Sequence, residues 1–266
     1  METNRRVFLK VAGLATLGFM VTKPALDVFA RGQFGEASVG EALDPPHEVG
    51  TTTKWGMAVN LTACSEKDGC TACTDACHDY HNVPDIDNKE EEIKWIWTAP
   101  YEKVFPEHGN EFIEDDLRGS EVMVLCNHCE HPPCIKVCPT RATWKREDGI
   151  VMMDFHRCIG CRYCMAGCPY GARSFNWKDP RPFIKETNPD FPTRTRGVVE
   201  KCNFCAKRLS KGLQPACVEA CPEKALTFGN LLDDHSELRE ILATHTIVRR
   251  LPELGTEPNV YYYKAD

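Results

Sequence analysis

The sequence lacks the short motifs that mark common catalytic and nucleotide-binding sites. It has no P-loop, no dinucleotide-binding fingerprint and no serine nucleophile elbow. It also has no run rich in Lys and Arg, and its formal net charge is −7. Such a chain does not bind nucleic acid phosphates non-specifically. These absences argue against an enzyme with its own substrate pocket and against a nucleic-acid-binding protein.

Long apolar runs are also absent. Beyond residue 30 no stretch reaches the ~20 consecutive apolar residues that a membrane span needs. Before that point, residues 3–10 read T-N-R-R-V-F-L-K, which resembles a twin-arginine export signal. Residues 1–30 are therefore predicted to be such a signal, either cleaved near its end or kept as a membrane anchor. An ordinary amphipathic helix is the alternative for this segment.

Cysteine, by contrast, is abundant, with 16 in a chain of 266 residues. The cysteines form four groups of four with none left over: Cys64, Cys70, Cys73 and Cys77; Cys126, Cys129, Cys134 and Cys138; Cys158, Cys161, Cys164 and Cys168; Cys202, Cys205, Cys217 and Cys221. The third group reads C-I-G-C-R-Y-C-M-A-G-C-P, the run by which ferredoxins hold iron–sulfur clusters. Since each cube takes four thiolates, the sequence predicts four [4Fe-4S] clusters and leaves no cysteine as a nucleophile.

Two other uses of so many cysteines are open at this stage. Export to an oxidising compartment would permit disulfide bonds, and C-x2-C pairs also suit zinc. In either case the protein would be a structural scaffold that docks partners. A tight run of four cysteines that ends in Pro favours clusters instead, because its fourth thiolate can reach a neighbouring centre.

The cysteine groups lie within a repeated unit of strand, cysteine loop, short helix and strand. Strand-like runs at 57–61, 121–125, 150–155 and 198–201 precede the groups, and runs at 142–145, 172–175 and 225–228 follow three of them. Asp148-Gly149 between two runs predicts a hairpin. The predicted fold is α+β, with two ferredoxin-like halves and long inserts, packed around four iron–sulfur clusters.

Composition places the boundaries of these parts. Residues 31–54 are predicted to be a linker, because they contain several Gly and Pro. Residues 55–232 hold the double ferredoxin-like domain, and residues 233–266 hold a C-terminal helix and tail. The inserts are 78–125 and 176–197.

The inserts and the tail carry their own expectations. In the first insert an acidic run is predicted to be solvated, and two tryptophans are predicted to pack in the core or an interface. The second insert contains four prolines and is predicted to be an extended surface excursion. In the tail, residues 236–245 predict an amphipathic helix. Tyr261 to Tyr263 either pack ordinarily or form an interaction tail.

The spacings of the second, third and fourth cysteine groups, each ending in Cys-Pro, resemble those of a known family. These are the four-cluster electron-transfer subunits of molybdopterin oxidoreductases, such as dimethyl sulfoxide, polysulfide and tetrathionate reductases. The resemblance covers residues 55–232 and implies that groups one and four share two clusters, as do groups two and three. The implied ligands are Cys64, Cys70, Cys73 and Cys221 for cluster 1; Cys77, Cys202, Cys205 and Cys217 for cluster 2; Cys126, Cys129, Cys134 and Cys168 for cluster 3; and Cys138, Cys158, Cys161 and Cys164 for cluster 4.

The first group departs from the family pattern. It reads C-x5-C-x2-C-x3-C and is followed by His78 instead of Pro, with three extra residues between Cys64 and Cys70. A longer loop can still close on a cluster, because closure entropy grows slowly with length. Cys64 is nevertheless the ligand that the pattern supports least. Without it, cluster 1 would be a three-iron form or absent.

Within the family, residues 132–134, 145–154 and 172–182 resemble the periplasmic ferredoxin-like subunit of a sulfite-reduction-associated membrane complex. This resemblance implies a role in sulfur metabolism on the periplasmic side of the cytoplasmic membrane. It implies two partners: a quinone-binding integral membrane subunit, and a periplasmic multihaem cytochrome c or other redox subunit. The alternatives are the electron-transfer subunit of a polysulfide, tetrathionate or nitrite reductase, or of a membrane hydrogenase.

Charged and aromatic-nitrogen side chains also flank the cysteines. Four histidines are predicted to lie at the surface or behind the ligands, since the cysteine count is already complete: His78, His81, His128 and His131. Four basic residues either raise the reduction potential of nearby clusters or are ordinary solvated charges: Arg162, Lys201, Lys207 and Arg208.

Overall fold

The computed structural model describes residues 53–65, 69–108, 114 and 117–265. The chain divides into two units, Met1–Gly50 and Thr51–Asp266, and the described residues all belong to the second. The predicted export signal and nearly all of the predicted linker lie outside the described residues. The structure is therefore that of the second unit, which carries every cysteine.

The described residues form short strands and short helices in alternation. The strands are β1 (Trp55–Asn60), β2 (Ile96–Pro100), β3 (Glu121–Leu125), β4 (Thr143–Lys145), β5 (Val151–Met153), β6 (Ser174–Phe175), β7 (Val199–Glu200), β8 (Leu226–Asn230), β9 (Ile247–Val248) and β10 (Val260–Tyr263). The α-helices are α1 (Leu61–Ser65), α2 (Ala72–His81), α3 (Tyr101–Val104), α4 (Pro133–Lys136), α5 (Tyr163–Ala166), α6 (Ala206–Leu209), α7 (Ala216–Ala220) and α8 (Glu237–Thr244). Single 3-10 turns occur at Pro106–His108, Arg181–Phe183 and Pro252–Leu254. This alternation confirms the α+β class and the strands predicted around the cysteine groups.

The largest sheet has four strands in the order β8-β1-β10-β9. Strand β1 pairs antiparallel with β8 and parallel with β10, so Met57 lies opposite both Phe228 and Val260. Both faces of β1 are covered, and Met57, Ala58 and Val59 have no exposed surface. This is why the strand is apolar without alternation. The sheet joins the segment before the first cysteine group to the segment after the fourth.

The tyrosine triplet at the C-terminal end is part of this sheet. Tyr261, Tyr262 and Tyr263 form most of β10 and are all buried. The Tyr262 hydroxyl donates a hydrogen bond to the carbonyl oxygen of Met123 at 3.3 Å. The triplet therefore packs in the core, and the interaction-tail alternative is wrong.

The predicted amphipathic helix in the tail is confirmed as α8. The Ser236 side chain caps its N-terminus by accepting a hydrogen bond from the Arg239 backbone N–H at 3.3 Å. Leu238 is fully buried and packs with Ala58 and Tyr263. The helix thus covers one face of the main sheet.

Three two-stranded ladders complete the strands: β2 with β3, β4 with β5 and β6 with β7. The β4–β5 hairpin confirms the turn signal of Asp148-Gly149. Gly149 has φ +83°, a backbone conformation that glycine adopts without steric cost. Trp144 lies opposite Met152 in this hairpin. The ladder places the second and third cysteine groups at its two ends.

The insert 176–197 is largely exposed over residues 181–190, as the predicted surface excursion requires, but part of it also turns inward. It is irregular, as its prolines require, but Phe191 and Arg194 are buried within it. The Arg194 guanidinium lies 2.6 Å from the Glu200 carboxylate, and neither side chain is exposed. The insert turns inward because the buried carboxylate needs a positive partner.

The first insert anchors the same carboxylate. Trp95 is fully buried, as predicted, and its indole N–H donates to Glu200 at 2.9 Å. The Asn176 amide donates to the other carboxylate oxygen at 2.6 Å. The Arg194 guanidinium also donates to the carbonyl oxygen of His81 at 2.5 Å. Glu200 therefore ties both inserts to helix α2.

We expect Glu200→Gln to lower the free energy of unfolding by about 3–5 kcal/mol, because it leaves the Arg194 charge buried without a partner. Thermal unfolding of the purified protein measures the loss. Asp234→Asn is the matched control, since Asp234 pairs with Arg239 at the surface, where an ion pair contributes about 0–1 kcal/mol. Equal losses in the two variants would contradict the structural role of Glu200.

Candidate iron–sulfur centres

Each cysteine group begins where a strand ends. Strand β1 runs into α1, which holds Cys64, and β3 runs directly into Cys126. In the second, third and fourth groups the third cysteine lies in a short helix and the fourth follows that helix: Cys134 is in α4, Cys164 in α5 and Cys217 in α7. The first group differs, because both Cys73 and Cys77 lie within α2.

Prolines and left-handed residues shape these loops. Pro133 starts α4 at a helical position where proline is favoured. His128, Arg162 and Cys205 have φ between +43° and +62°, so the backbone of three groups curls within a few residues. Gly160 in the third group has φ +69°, and an added Cβ would lie 2.4 Å from the carbonyl oxygen of Gly197. Only glycine allows the second insert to approach this loop so closely.

The helices pair across the chain. Helix α2 of the first group packs against α7 of the fourth, and α4 of the second group packs against α5 of the third. Groups that are distant in sequence are therefore neighbours in space. The β1–β8 and β4–β5 ladders bring the same groups together.

All sixteen thiols are free in the structure. Four of these thiols, from the first and fourth cysteine groups, lie near one another. Burial first, and then the neighbouring thiols of Cys64, Cys221 and Cys70, raise the pKa of Cys73 to about 11. Burial and the thiols of Cys221 and Cys70 also raise the pKa of Cys64. The structure thus brings these four cysteines together, including Cys64.

A second meeting point combines Cys77 with the fourth group. Burial and the thiols of Cys202, Cys217 and Cys205 raise the pKa of Cys77 well above its ordinary value. Burial, opposed by a hydrogen bond from the Ala216 backbone N–H, raises the pKa of Cys205 to about 11. Cys77, Cys202, Cys205 and Cys217 are all buried.

The second and third groups meet in the same manner. Burial and the thiols of Cys126, Cys134 and Cys168 raise the pKa of Cys129 to about 12. Cys168 comes from the third group and the other three come from the second. This is the third place where four thiols converge.

The remaining four cysteines are placed less tightly. Cys138, Cys158 and Cys164 pack in one small apolar cluster of side chains that also contains Cys134. Burial first, and then the thiolates of Cys134 and Cys158, raise the pKa of Cys164, and the Arg173 charge opposes them. Cys161 lies half-buried on the same loop.

Cys138 is electrostatically distinct. Burial works against its thiolate, but hydrogen bonds from the backbone N–H groups of Thr143, Ala142 and Thr140 and from the Thr140 hydroxyl outweigh it, and they lower the pKa of Cys138. A thiolate at this position is therefore stabilised by the protein before any metal binds.

The four meeting points follow one another in a row. The thiol of Cys73 raises the pKa of Cys217, and the thiol of Cys126 raises the pKa of Cys202, each after burial. Cys134 is likewise a neighbour of Cys164. Each of these electrostatic interactions links thiols of two successive sets.

The donor sets fit iron–sulfur clusters chemically. A thiol with a pKa of about 11 or 12 keeps its proton at neutral pH unless a metal takes its place, and metal binding then releases the proton. Thiolates are the ligands of [4Fe-4S] clusters. Sixteen thiols in four sets match four clusters of four ligands each.

The histidines lie near the ligands but on different sides of the protein. His81 and His128 are fully buried, so the surface alternative is wrong for these two, whereas the His131 side chain is 61% exposed. The His81 ring stacks on Trp95, and its Nδ1 lies 3.6 Å from the sulfur of Cys77.

Burial favours the uncharged form of both rings. Burial lowers the pKa of His81 to about 3, with the Arg194 charge acting in the same direction. Burial also lowers the pKa of His128 well below its usual range, and the charges of Lys201 and Arg173 add to this.

The basic residues divide into buried and exposed. Lys201 is buried, and its ammonium donates hydrogen bonds to the carbonyl oxygens of Val151 and Cys202. The solvated-charge alternative is therefore wrong for Lys201. Lys207 is exposed. The guanidinium of Arg208 pairs with Glu219 at the surface.

One important residue was missed by sequence reasoning. Arg173 is 4% exposed, and its guanidinium donates to the Cys134 sulfur at 3.0 Å and to the Thr143 hydroxyl at 2.8 Å. The available signal was a lone arginine within the short predicted strand 172–175, three residues after Cys-Pro-Tyr. An arginine in an otherwise buried run requires a negative partner.

A known family of iron–sulfur domains matches the part of the chain that contains the second, third and fourth cysteine groups. Residues 122–182 and 188–231 match the family of the 4Fe-4S dicluster domain.

Among the described residues, no helix combines the length and the apolar character needed to cross a membrane.

Three relatives illustrate the range of similar proteins. The chain is 40% identical to the Hdr-like menaquinol oxidoreductase iron–sulfur subunit 1 of Archaeoglobus fulgidus, over 98% of each protein. It is 39% identical to the iron–sulfur cluster-binding subunit of menaquinone reductase from Nitratidesulfovibrio vulgaris, over 79% of this chain and 88% of that protein. It is 34% identical to a tetrathionate reductase subunit of Salmonella typhimurium, over 100% of this chain and 90% of that protein. The chain therefore belongs to the family of iron–sulfur subunits found in menaquinol oxidoreductases and in tetrathionate reductase.

Proposed function

We propose that the protein is the electron-transfer subunit of a membrane-linked oxidoreductase complex, with no substrate site of its own. The observation that carries this proposal is the row of four thiol sets, which uses every cysteine in the chain. When bound, [4Fe-4S] clusters supply one-electron acceptors and donors. The chain's own residues space them and exclude water around them.

The ligand sets proposed for the four clusters follow the four meeting points of the thiols. Their support is the close approach of thiols from distant groups in three sets and the shared apolar cluster in the fourth. We further propose that two ferredoxin-like halves make up the fold, one built on groups one and four and the other on groups two and three. The helix pairs α2–α7 and α4–α5 support this division.

The proposed partners are a quinone-binding integral membrane subunit and a second redox subunit, for which a periplasmic multihaem cytochrome c is our first candidate. Two relatives support the quinone side, because one is named a menaquinol oxidoreductase subunit and the other a menaquinone reductase subunit. We assign the chain to the DsrO group of the DsrMKJOP complex, in sulfur metabolism, on the residues 132–134, 145–154 and 172–182.

A molybdopterin reductase is the second candidate complex. The relative from Salmonella typhimurium is a component of tetrathionate reductase, and another relative, from Halobacterium salinarum, carries the name of a putative dimethyl sulfoxide reductase iron–sulfur subunit with 39% identity over 80% of each chain. The electron-transfer role is the same in both candidates. They differ in the subunit that receives or supplies the electrons.

Purification of the complex from native membranes separates the two candidates. We expect an integral membrane protein and a multihaem cytochrome c to co-purify with the chain, and both can be identified by mass spectrometry and haem staining. Co-purification of a molybdopterin subunit in place of the cytochrome would contradict the DsrO assignment and favour the second candidate.

Cluster content tests the ligand sets. We expect the wild-type protein to contain about sixteen iron and about sixteen acid-labile sulfide atoms per chain. Cys161→Ala should reduce each count to about twelve and lower the thermal stability, because it removes a ligand of cluster 4. Ile159→Ala is the matched control, since Ile159 lies in the same loop and is 67% exposed. A Cys161→Ala protein that keeps all its iron would sink the assignment of that ligand.

Export provides a further test. The double variant Arg5→Lys, Arg6→Lys removes the arginine pair of the proposed signal while keeping both charges. We expect the wild-type protein in the periplasmic or membrane fraction and the double variant in the cytoplasm with its clusters assembled. Immunoblotting of cell fractions measures both. Unchanged export of the variant would contradict the twin-arginine proposal.

A further inference from the structure

Arg173 lies in the run that leads into β6, and its guanidinium reaches toward the cysteines of the second and third groups. One terminal nitrogen donates to the Cys134 sulfur at 3.0 Å and to the Thr143 hydroxyl at 2.8 Å. The other lies 3.8 Å from the Met153 sulfur. Only 4% of the residue is exposed. The guanidinium is therefore held in one position within the protein.

The partners of this cation are unusual. Among the described residues its hydrogen-bond partners are two sulfurs and a hydroxyl group, and none is a carboxylate. Burying a charge without a counter-charge is costly. Burial would lower the pKa of Arg173, but the thiolates of Cys134, Cys164 and Cys126 outweigh it and raise the pKa. The negative charge that balances Arg173 is therefore that of the cysteines.

A second buried arginine shows the contrast. Arg194 is equally inaccessible but lies 2.6 Å from the Glu200 carboxylate. Its charge is neutralised within the protein, so its field at a distance is small. The field of Arg173 has no such partner and acts on the sulfur-rich centres beside it.

The position of Arg173 is at the junction of two ligand sets. Cys134 belongs to the set proposed for cluster 3 and Cys164 to the set proposed for cluster 4, and Arg173 is hydrogen-bonded to the first and interacts with the second. In the interior, a unit charge acts strongly over a few ångströms, because the effective dielectric constant is well below that of water.

We propose that the buried guanidinium of Arg173 raises the reduction potentials of both clusters held by the second and third cysteine groups. This inference rests on the proposed ligand sets. An electron that leaves one cluster oxidises it by one electron and reduces the next by one, with no proton or atom transferred. The arriving electron adds negative charge next to a fixed cation, so the reduced form is favoured.

Lys201 provides an internal comparison at another ligand set. It is buried, and its ammonium donates to the carbonyl oxygen of Cys202 at 2.6 Å. Burial and the thiol of Cys126 raise the pKa of Cys202, and the Lys201 charge opposes them. Lys201 therefore lies beside the set proposed for cluster 2, whereas Arg173 lies between those of clusters 3 and 4.

Redox titration followed by EPR on the purified holoprotein tests the proposal. In Arg173→Met, we expect two of the four midpoint potentials to fall, each by at least a tenfold change in the equilibrium constant, about 59 mV for one electron. Lys201→Met should lower the potential of cluster 2, which Arg173→Met should leave unchanged. Arg181→Met is the control and should shift none, because Arg181 is exposed and paired with Asp179.

Two outcomes overturn the proposal in distinguishable ways. An Arg173→Met protein with four clusters and unchanged potentials contradicts the role of Arg173 and leaves the electron-transfer function standing. A wild-type protein without iron and sulfide contradicts both. If Arg173→Met binds fewer than four clusters, Arg173→Lys decides. If Arg173→Lys binds four clusters at near wild-type potentials, the positive charge at this position sets the potentials, as proposed. If Arg173→Lys also loses clusters, Arg173 has a purely structural role.

Discussion

Thiols from loops that are far apart in sequence must meet, and this requirement constrains the whole domain. Cys64 lies beside Cys221, and Cys77 lies beside Cys202, although most of the domain separates them along the chain. The main sheet makes this approach feasible, because β1 before the first group pairs directly with β8 after the fourth. Helices α2 and α7 then pack together. The second and third groups are joined more locally, through the β4–β5 hairpin.

Buried charge is the second organising feature. Arg194 and Glu200 form an ion pair that is closed within the protein, and the pair fastens both inserts to helix α2. Arg173 and Lys201 are buried next to cysteines, and within the part of the chain that the structure describes no carboxylate is among their hydrogen-bond partners. A charge without a local partner acts over a longer range in a medium of low dielectric constant. The domain thus separates charges that hold the fold from charges that face the electron path.

The relatives carry names of several different reactions, from menaquinol oxidation to tetrathionate reduction. Their similarity to this chain extends over most of its length, so similarity of this domain does not fix the reaction. A fold by itself does not specify a reaction. The sites that can differ between such subunits are the surfaces that meet partners and the side chains that set the potential of each cluster.

The cysteine spacing determined the type of cofactor and the number of ligand groups, because a tight loop of thiolates has few chemical uses. The short apolar runs determined the strands that precede the groups, because such runs leave few structural choices. The Asp148-Gly149 hairpin, the helix α8 and the burial of Trp95 were predictable for similar local reasons. The tertiary structure decided which groups are neighbours, that Tyr261 to Tyr263 form a core strand, and that Arg173 and Lys201 are buried. The proximity of distant groups and the burial of these charged side chains are properties of the folded chain, since they depend on residues far away in sequence.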